Sequence, residues 1–397
     1  MRKTIFAAAA AIMCLSSCQE SMDRLADRVF ETARQQVLYQ ATMLTPELTP
    51  RSLDENGELV TADHQWWCSG FFPGTCWYTY EYTSDEAVRT LAIEKTDLLE
   101  HLKDDGGDHD IGFQVNCSFG NALRILADST RHDDEVLVAA ANRLAGRFDP
   151  VVGCTKSWNG DDFLVIIDNM MNLELLMKAA ELSGIDSLRN IAVTHANTTM
   201  ANHFRDNGSS FHMLTYSTED GSAIAKQTVQ GYSDDSSWAR GQAWGLYGFT
   251  MMYRFTSDEA YLNHAIRIAD YIISRIPEDF VPFWDYDDPF LLDGTASEDP
   301  ASERFVPRDA SAGAVQASAL AELSGFVSDK AKAELYRSVA EGTVRELATE
   351  KYLSKPYDNG GFILKHSTGD KNKNSEVDVP LSYADYYFLE AVLRLVK

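Results

Sequence analysis

Twelve stretches of this chain carry apolar residues at the three- and four-residue spacing of an α-helix, and some are apolar on every side. They fall at about 24–43, 71–82, 85–103, 117–128, 132–147, 168–183, 186–205, 236–256, 258–275, 311–327, 329–349 and 381–396. In the third, Val88, Leu91, Ala92, Lys95, Leu98, Leu99 and Leu102 recur behind a Ser84-Asp85 cap. Segments 168–183 (Met170-Met171-Asn172-Leu173) and 236–256 (Ala243-Trp244-Gly245-Leu246) show no polar face, so other helices must wall them in. Segments 85–103 and 329–349 alternate charged with apolar residues, as half-solvated outer helices do. An apolar inner ring inside an amphipathic outer ring is an all-α (α/α)6 barrel of six helix hairpins. Periodicity alone also allows an open solenoid of helix pairs, although no repeat of fixed period is visible. Two strand-like pieces, 211–217 and 361–366, fit hairpin loops. Eleven Pro and 24 Gly in 397 residues are too few for a many-stranded sandwich. With no Gly/Ser linker, residues 18–397 form one expected domain.

The first 17 residues are an address. Arg2 and Lys3 precede an apolar run, Ile5 to Leu15, that is too short to span a bilayer. It ends in Leu15-Ser16-Ser17-Cys18, which resembles a bacterial lipobox, so Cys18 is the expected lipidation site. A plain signal peptide cut nearby is the alternative. An exported lipoprotein of the periplasm or outer membrane follows, with no membrane contact except the lipid anchor. The formal charge of −25 repels phosphate backbones and argues against nucleic-acid partners. An anionic small substrate therefore needs a locally positive pocket. Cys68, Cys76, Cys117 and Cys154 show no CxxC pair or Cys/His metal spacing. Cys68 could oxidise with Cys76 in an exported protein, or all four could be buried thiols.

Chemistry-bearing residues crowd the loop-to-helix junctions. Asp168 follows the apolar run Phe163-Leu164-Val165-Ile166-Ile167 and precedes a walled-in helix. Burial there would raise its pKa and suit it to general acid/base work, but aspartate is also a favoured N-cap. Asp110, in Gly-Gly-Asp-His-Asp-Ile-Gly-Phe, is either a turn residue or the second carboxyl that sugar chemistry uses. Arg240 lies between Trp238 and Trp244; it could grip a carboxylate or pair with Asp234 or Asp235. Trp66, Trp67 and Trp158 are sugar platforms or core, and His109 and His212 are by default satisfied buried histidines. No HExxH, P-loop, strand-linked GxGxxG or GxSxG motif is present, which removes most metal and nucleotide chemistries.

Three motifs in order carry a family resemblance over nearly the whole chain after the leader. They are His109-Asp110-Ile111-Gly112-Phe113, Ile167-Asp168-Asn169-Met170-Met171-Asn172, and Gln230 through Trp244. They resemble the unsaturated glucuronyl hydrolases of glycoside hydrolase family 88. That resemblance implies an (α/α)6 barrel without metal or organic cofactor. It also implies hydration of the C4=C5 double bond that polysaccharide lyases leave in a terminal uronic acid, acting on glycosaminoglycan oligosaccharides. Asp168 would protonate C4 and handle the water proton, while Asp110 would support the developing charge or act as nucleophile. Substrate contacts would come from Trp66, His109, Trp158, His212, Thr228, Gln230, Arg240 and Trp244, with Arg240 on the uronate carboxylate. The pocket also resembles the unsaturated rhamnogalacturonyl hydrolases, which leaves pectin fragments as a second substrate class. A non-catalytic glycan-binding lipoprotein is a third reading; it has no use for buried carboxyls.

Overall fold

The computed structural model describes residues 20–397, so the leader, Cys14 and Cys18 lie outside the described residues. Six outer helices alternate with six inner ones. The outer helices are Met22–Ala41, Glu86–Asp97, Asp133–Ala145, Asp186–Asn202, Glu259–Arg275 and Lys330–Leu347. The inner ones are Phe71–Thr83, the π-helical Gly112–Gly120 continued by Asn121–Leu126, Asn169–Ser183, Ala239–Thr256, Ala310–Ser324 and Ser382–Val396. Each inner helix packs on the next inner helix and the last packs on the first, which closes the ring. The architecture is therefore an (α/α)6 barrel, and the open solenoid is excluded by that closure.

Polarity dictates the two rings. In Glu259–Arg275, Tyr261, Leu262, Ala265, Ile268, Ala269 and Ile272 are buried at helical spacing, and Asp258 caps the first turn through the Ala260 amide. Inner helices bury residues all round: Phe71, Leu173, Leu246, Phe249, Leu320 and Phe388 are fully enclosed. Each such side chain contributes roughly 1.5–3 kcal/mol, so the inner ring is the energetic centre of the fold. Close approach between its members demands glycine. A Cβ on Gly248 would lie 2.5 Å from the Met170 Cβ on the neighbouring inner helix.

The structure departs from sequence expectation in the loops and at two helices: the one expected over 85–103 ends at Asp97, and Leu102–Asp105 is a separate single turn. The second inner helix begins at Gly112, well before residue 117, because its first nine residues wind as a wide π-turn that 3.6-residue periodicity does not register. The apolar run Phe163–Ile166 is an edge strand paired with Met213–Tyr216, which pairs in turn with Ala223–Gln227. Residues 361–366 do not form a strand. The amides of Ile363 and Leu364 instead donate to Asp385 (2.9 and 2.8 Å), and the hairpin follows as Ser367–Asp370 with Ser375–Val379. An N-terminal hairpin, Thr49–Leu53 with Leu59–Ala62, was not legible either. Cys68, Cys76, Cys117 and Cys154 are all free and buried, so Cys68 and Cys76 form no disulfide. Among the described residues no helix is long and apolar enough to cross a membrane.

All six inner helices run in the same direction. Their C-terminal end is filled by an ionic network in which Arg254 bridges Glu174 (3.0 Å) and Glu322 (2.7 Å), and Arg394 takes Glu322 (3.0 Å). The loops and hairpins collect at the N-terminal end, around the cavity described next.

Gly248→Ala should lower the urea midpoint by an amount worth about 1–3 kcal/mol, because the added methyl meets the Met170 Cβ and backbone and not a side-chain tip that can swing away. An unchanged midpoint in equilibrium unfolding would show that the two inner helices separate more freely than this packing allows.

Candidate active site

A cavity of about 480 Å³ opens at the N-terminal end of the inner ring. Asp110, Asp168, Trp66, Trp67, Trp158, Gln230, Arg240 and Tyr383 are among the residues that line it. Inner-helix N-termini converge there with the positive ends of their dipoles. This field, together with the cations in the wall, reconciles an anion-accepting pocket with a chain of formal charge −25.

Strand pairing places the central residue. Ile166 sits opposite Met213, the next amide, Ile167, donates to the His212 carbonyl (2.9 Å), and Asp168 follows at the tip of helix Asn169–Ser183. Asp168 occupies the N-cap position, yet its side chain makes no capping bond. That separates the two sequence readings: the carboxyl is not spent on the helix. Its Oδ2 is buried without a hydrogen-bond partner, while 15% of the side chain remains exposed to the cavity. Burial pushes its pKa up to about 7, against the opposing effect of the Arg240 guanidinium. The carboxyl is then close to half protonated at neutral pH, the condition an efficient general acid requires.

His212 stands behind it. The amides of Val229 (3.0 Å) and Gln230 (3.3 Å) both point at His212 Nδ1, so that nitrogen is the acceptor and the ring proton resides on Nε2. Nε2 lies 3.8 Å from Asp168 Oδ2. Burial holds the imidazole down to about 3, so it stays neutral and presents an N–H to the carboxyl. Thr228 belongs to the same support: its Oγ1 accepts from the Gly231 amide (2.8 Å) and fixes the turn carrying Gln230.

Asp110 is built in the same way. Asn172, one turn into the Asp168 helix, accepts from the Phe113 amide (2.8 Å) and faces His109 Nδ1 at 3.2 Å. With Asn172 donating to Nδ1, the His109 proton sits on Nε2, which is 3.5 Å from Asp110 Oδ1. Gly112 makes this approach possible, since a Cβ there would sit 2.4 Å from Asn172 Oδ1. Burial, then Asp108, then Asp168 raise Asp110 well above the ordinary carboxylate range. Burial likewise holds His109 well below its ordinary value. Each carboxyl is thus faced by the Nε2 of a neutral histidine.

Other sequence candidates take other places. Trp158 and Trp66 reach the cavity, but one face of Trp66 is covered by the Arg51 guanidinium, 4.2 Å from the ring centroid. His109, His212 and Trp244 are buried behind the wall; the Trp244 ring lies 5.3 Å from Phe113 and its Nε1 has no hydrogen-bond partner. Arg240 pairs with neither Asp234 nor Asp235. Its Nη1 donates to Asp309 (2.9 Å) and to the Thr368 carbonyl, and Nη2 donates to the Gly369 carbonyl (2.7 Å). Both arms of its fork are committed, so in this structure Arg240 supplies charge beside Asp168 and not an open bidentate clamp. Sequence reasoning missed Arg51, Asp309, Tyr383 and Lys373, which arrive from the N-terminal hairpin, from the 309–310 junction and from residues 367–383. Among the described residues no group of three or more His, Cys, Asp or Glu side chains is arranged to hold a metal ion.

No family model matches the chain. An unsaturated glucuronyl hydrolase from Formosa agariphila is 43% identical over 352 residues, spanning 87% of this chain and 84% of that protein. An unsaturated chondroitin disaccharide hydrolase from Streptococcus pyogenes serotype M1 is 30% identical over 357 residues, spanning 88% of this chain and 86% of that one. Among solved structures, an unsaturated glucuronyl hydrolase specific for heparin superimposes with a TM-score of 0.88 at 41% identity, covering 94% of this chain and 97% of its own. An aspartate-to-asparagine variant from Streptococcus agalactiae, complexed with dGlcA-GalNAc6S, gives 0.80 at 28%, covering 96% and 94%.

The raised pKa of Asp168 has a thermodynamic sign. The folded chain holds a proton between pH 4 and about 7 that the unfolded chain releases, so this carboxyl favours folding at low pH and loses that contribution as pH rises through about 7. Asp168→Asn, which cannot ionise, should therefore melt at a higher temperature than the wild type above pH 7, with the gap closing toward pH 5. A gap that does not vary with pH across this window, read by scanning calorimetry, would place the Asp168 pKa outside it.

Proposed function

The chain belongs to the unsaturated glucuronyl hydrolases, and from that membership we propose how its residues divide the work. As a member, it is a glycoside hydrolase that removes the terminal 4,5-unsaturated uronic acid from lyase-generated glycosaminoglycan oligosaccharides. In the proposed mechanism neutral Asp168 delivers its proton to C4. The C4=C5 π pair becomes the new C4–H bond, leaving positive charge shared between C5 and the ring oxygen. Asp110, in its ionised form, supports that charge, or bonds to C5 as a nucleophile before water replaces it. Water at C5 yields its proton to the Asp168 carboxylate, which restores the acid. The resulting hemiketal opens to a C5 ketone, and the hemiacetal left at C1 expels the rest of the sugar. The observation that carries this assignment is the Asp168 carboxyl, which caps no helix, has its Oδ2 buried without a hydrogen-bond partner beside the neutral His212, and is pushed up to about 7 by burial.

The proposed substrate is of the heparin type. Its support is the difference between 41% identity to the structure specific for heparin and 28% to the one complexed with dGlcA-GalNAc6S. We further propose that Cys18 is acylated and that the enzyme works as an exported lipoprotein in the periplasm or at the outer membrane. The support is Arg2 and Lys3, the apolar run to Leu15, and the Ser16-Ser17-Cys18 sequence that follows.

Asp168→Asn should cost ~10²–10⁴-fold in kcat while substrate affinity stays within a few-fold, because asparagine keeps the shape and loses the proton. The assay is loss of the conjugated-alkene ultraviolet absorbance on unsaturated disaccharides from heparin, chondroitin, hyaluronan and pectin. Heparin disaccharides should react fastest in the wild type. A folded variant near wild-type rate removes Asp168 from the mechanism, and a preference for pectin fragments overturns the substrate assignment.

Cys18→Ala should move the enzyme from the membrane pellet to the soluble fraction, since acyl chains are then absent. An unchanged pellet fraction contradicts the lipobox reading.

A further inference from the structure

We propose that Arg51 is a specificity residue for this reaction, whose guanidinium binds an anionic substituent, such as a sulfate group, on the sugar next to the unsaturated uronate. The inference rests on the substrate class given above. Arg51 comes from the first strand of the hairpin Thr49–Leu53/Leu59–Ala62, remote in sequence from both catalytic carboxyls, and it lines the cavity that holds them. Two contacts from different parts of the chain fix it. Its guanidinium lies over the Trp66 ring at 4.2 Å, and its Nε donates to Glu376 Oε1 at 2.5 Å. These contacts use one face and one nitrogen. Among the described residues, neither Nη1 nor Nη2 has a hydrogen-bond partner, and 27% of the side chain is exposed.

The contrast with the other cations of the cavity makes the argument. Arg240 is 2% exposed and has given both terminal nitrogens to Asp309 and to the carbonyls of Thr368 and Gly369. Lys373 holds Asp370 at 2.8 Å and is a point charge without a planar fork. Arg51 therefore offers an open pair of terminal N–H groups that is already oriented, and planar N–H pairs suit two oxygens of a sulfate or carboxylate. Stacking on Trp66 restricts the side chain before substrate arrives, so less rotamer freedom is lost on binding. Glu376 partly neutralises the guanidinium and tunes how strongly it attracts an incoming anion. The covered face of Trp66 also means that a sugar entering here meets Arg51 before it meets that face of the indole.

The test compares unsaturated disaccharides that differ only in sulfation of the amino sugar. Arg51→Gln should lower kcat/KM for the sulfated member by about tenfold to a hundredfold, mostly through KM, and change the unsulfated member less than about threefold. Arg51→Lys, which keeps charge but loses the fork, should fall between Arg51→Gln and the wild type. Glu376→Gln, which releases Arg51 from its carboxylate, should lower KM for the sulfated substrate. Equal losses on both substrates would assign Arg51 to holding the hairpin against Trp66, and no loss on either would remove it from recognition; each overturns the proposal. Wild-type enzyme that turns over neither disaccharide would instead defeat the substrate assignment, an outcome visible before any variant is made.

Discussion

The carboxyl of Asp168 is held at the tip of a helix that is buried all round, and its Oδ2, buried without a hydrogen-bond partner, faces His212 Nε2 across 3.8 Å. A closed ring of inner helices forces this situation. Its walls are apolar, so a polar group at the rim is desolvated by its neighbours. Its helices run in parallel, so the N-terminal amides and dipoles gather at the same rim. Desolvation favours the neutral acid, while the rim and Arg240 favour the anion. The balance at about 7 lets one carboxyl give a proton and take it back.

The cost of such a site is distributed over the fold. Unpartnered polar atoms at His109, Asp168, His212 and Trp244 cluster within a few residues of the cavity, and each is a destabilising feature that an ordinary core avoids. The inner ring offsets them with fully buried Phe71, Phe249 and Phe388, and the opposite mouth of the barrel is closed by paired charges. There, Lys178 and Arg254 outweigh burial and hold Glu174 down to about 2. Opposite treatments of buried carboxylates thus sit less than two turns apart on one helix: Glu174 paired and ionised, Asp168 uncapping and poised.

What could be read in the sequence follows from how local each signal is. The inner helices were legible because a helix such as Ala239–Thr256 has to be apolar on all sides, and Asp168 because it closes an apolar run five residues long. Local physics left its role open, since capping and acid catalysis use the same residue at the same position; only the missing cap bond distinguishes them. The π-turn at Gly112–Gly120 escaped because its period is not 3.6. Long-range partnerships escaped altogether. Arg240 finds Asp309 across 69 residues, and Arg51 finds Glu376 across 325, with neither pair marked by spacing or composition. The expected Asp234 or Asp235 partner was closer in sequence, but Arg205 Nη2 ties the Asp234 and Ser236 carbonyls into a separate turn, in which the Asp234 carboxylate accepts from the Thr228 amide (2.8 Å).

The central claim is that one buried carboxyl keeps its proton up to near-neutral pH, and infrared difference spectroscopy reads it directly. Wild-type minus Asp168→Asn spectra isolate the carbonyl stretch of the protonated Asp168 carboxyl, and a pH titration follows its loss. The account predicts a protonated-carboxyl band at pH 5.5 that disappears with a midpoint near 7. A midpoint near 4, the value of an ordinary exposed aspartate, would mean that the carboxyl is solvated and ionised, and the barrel would then have to find its proton elsewhere.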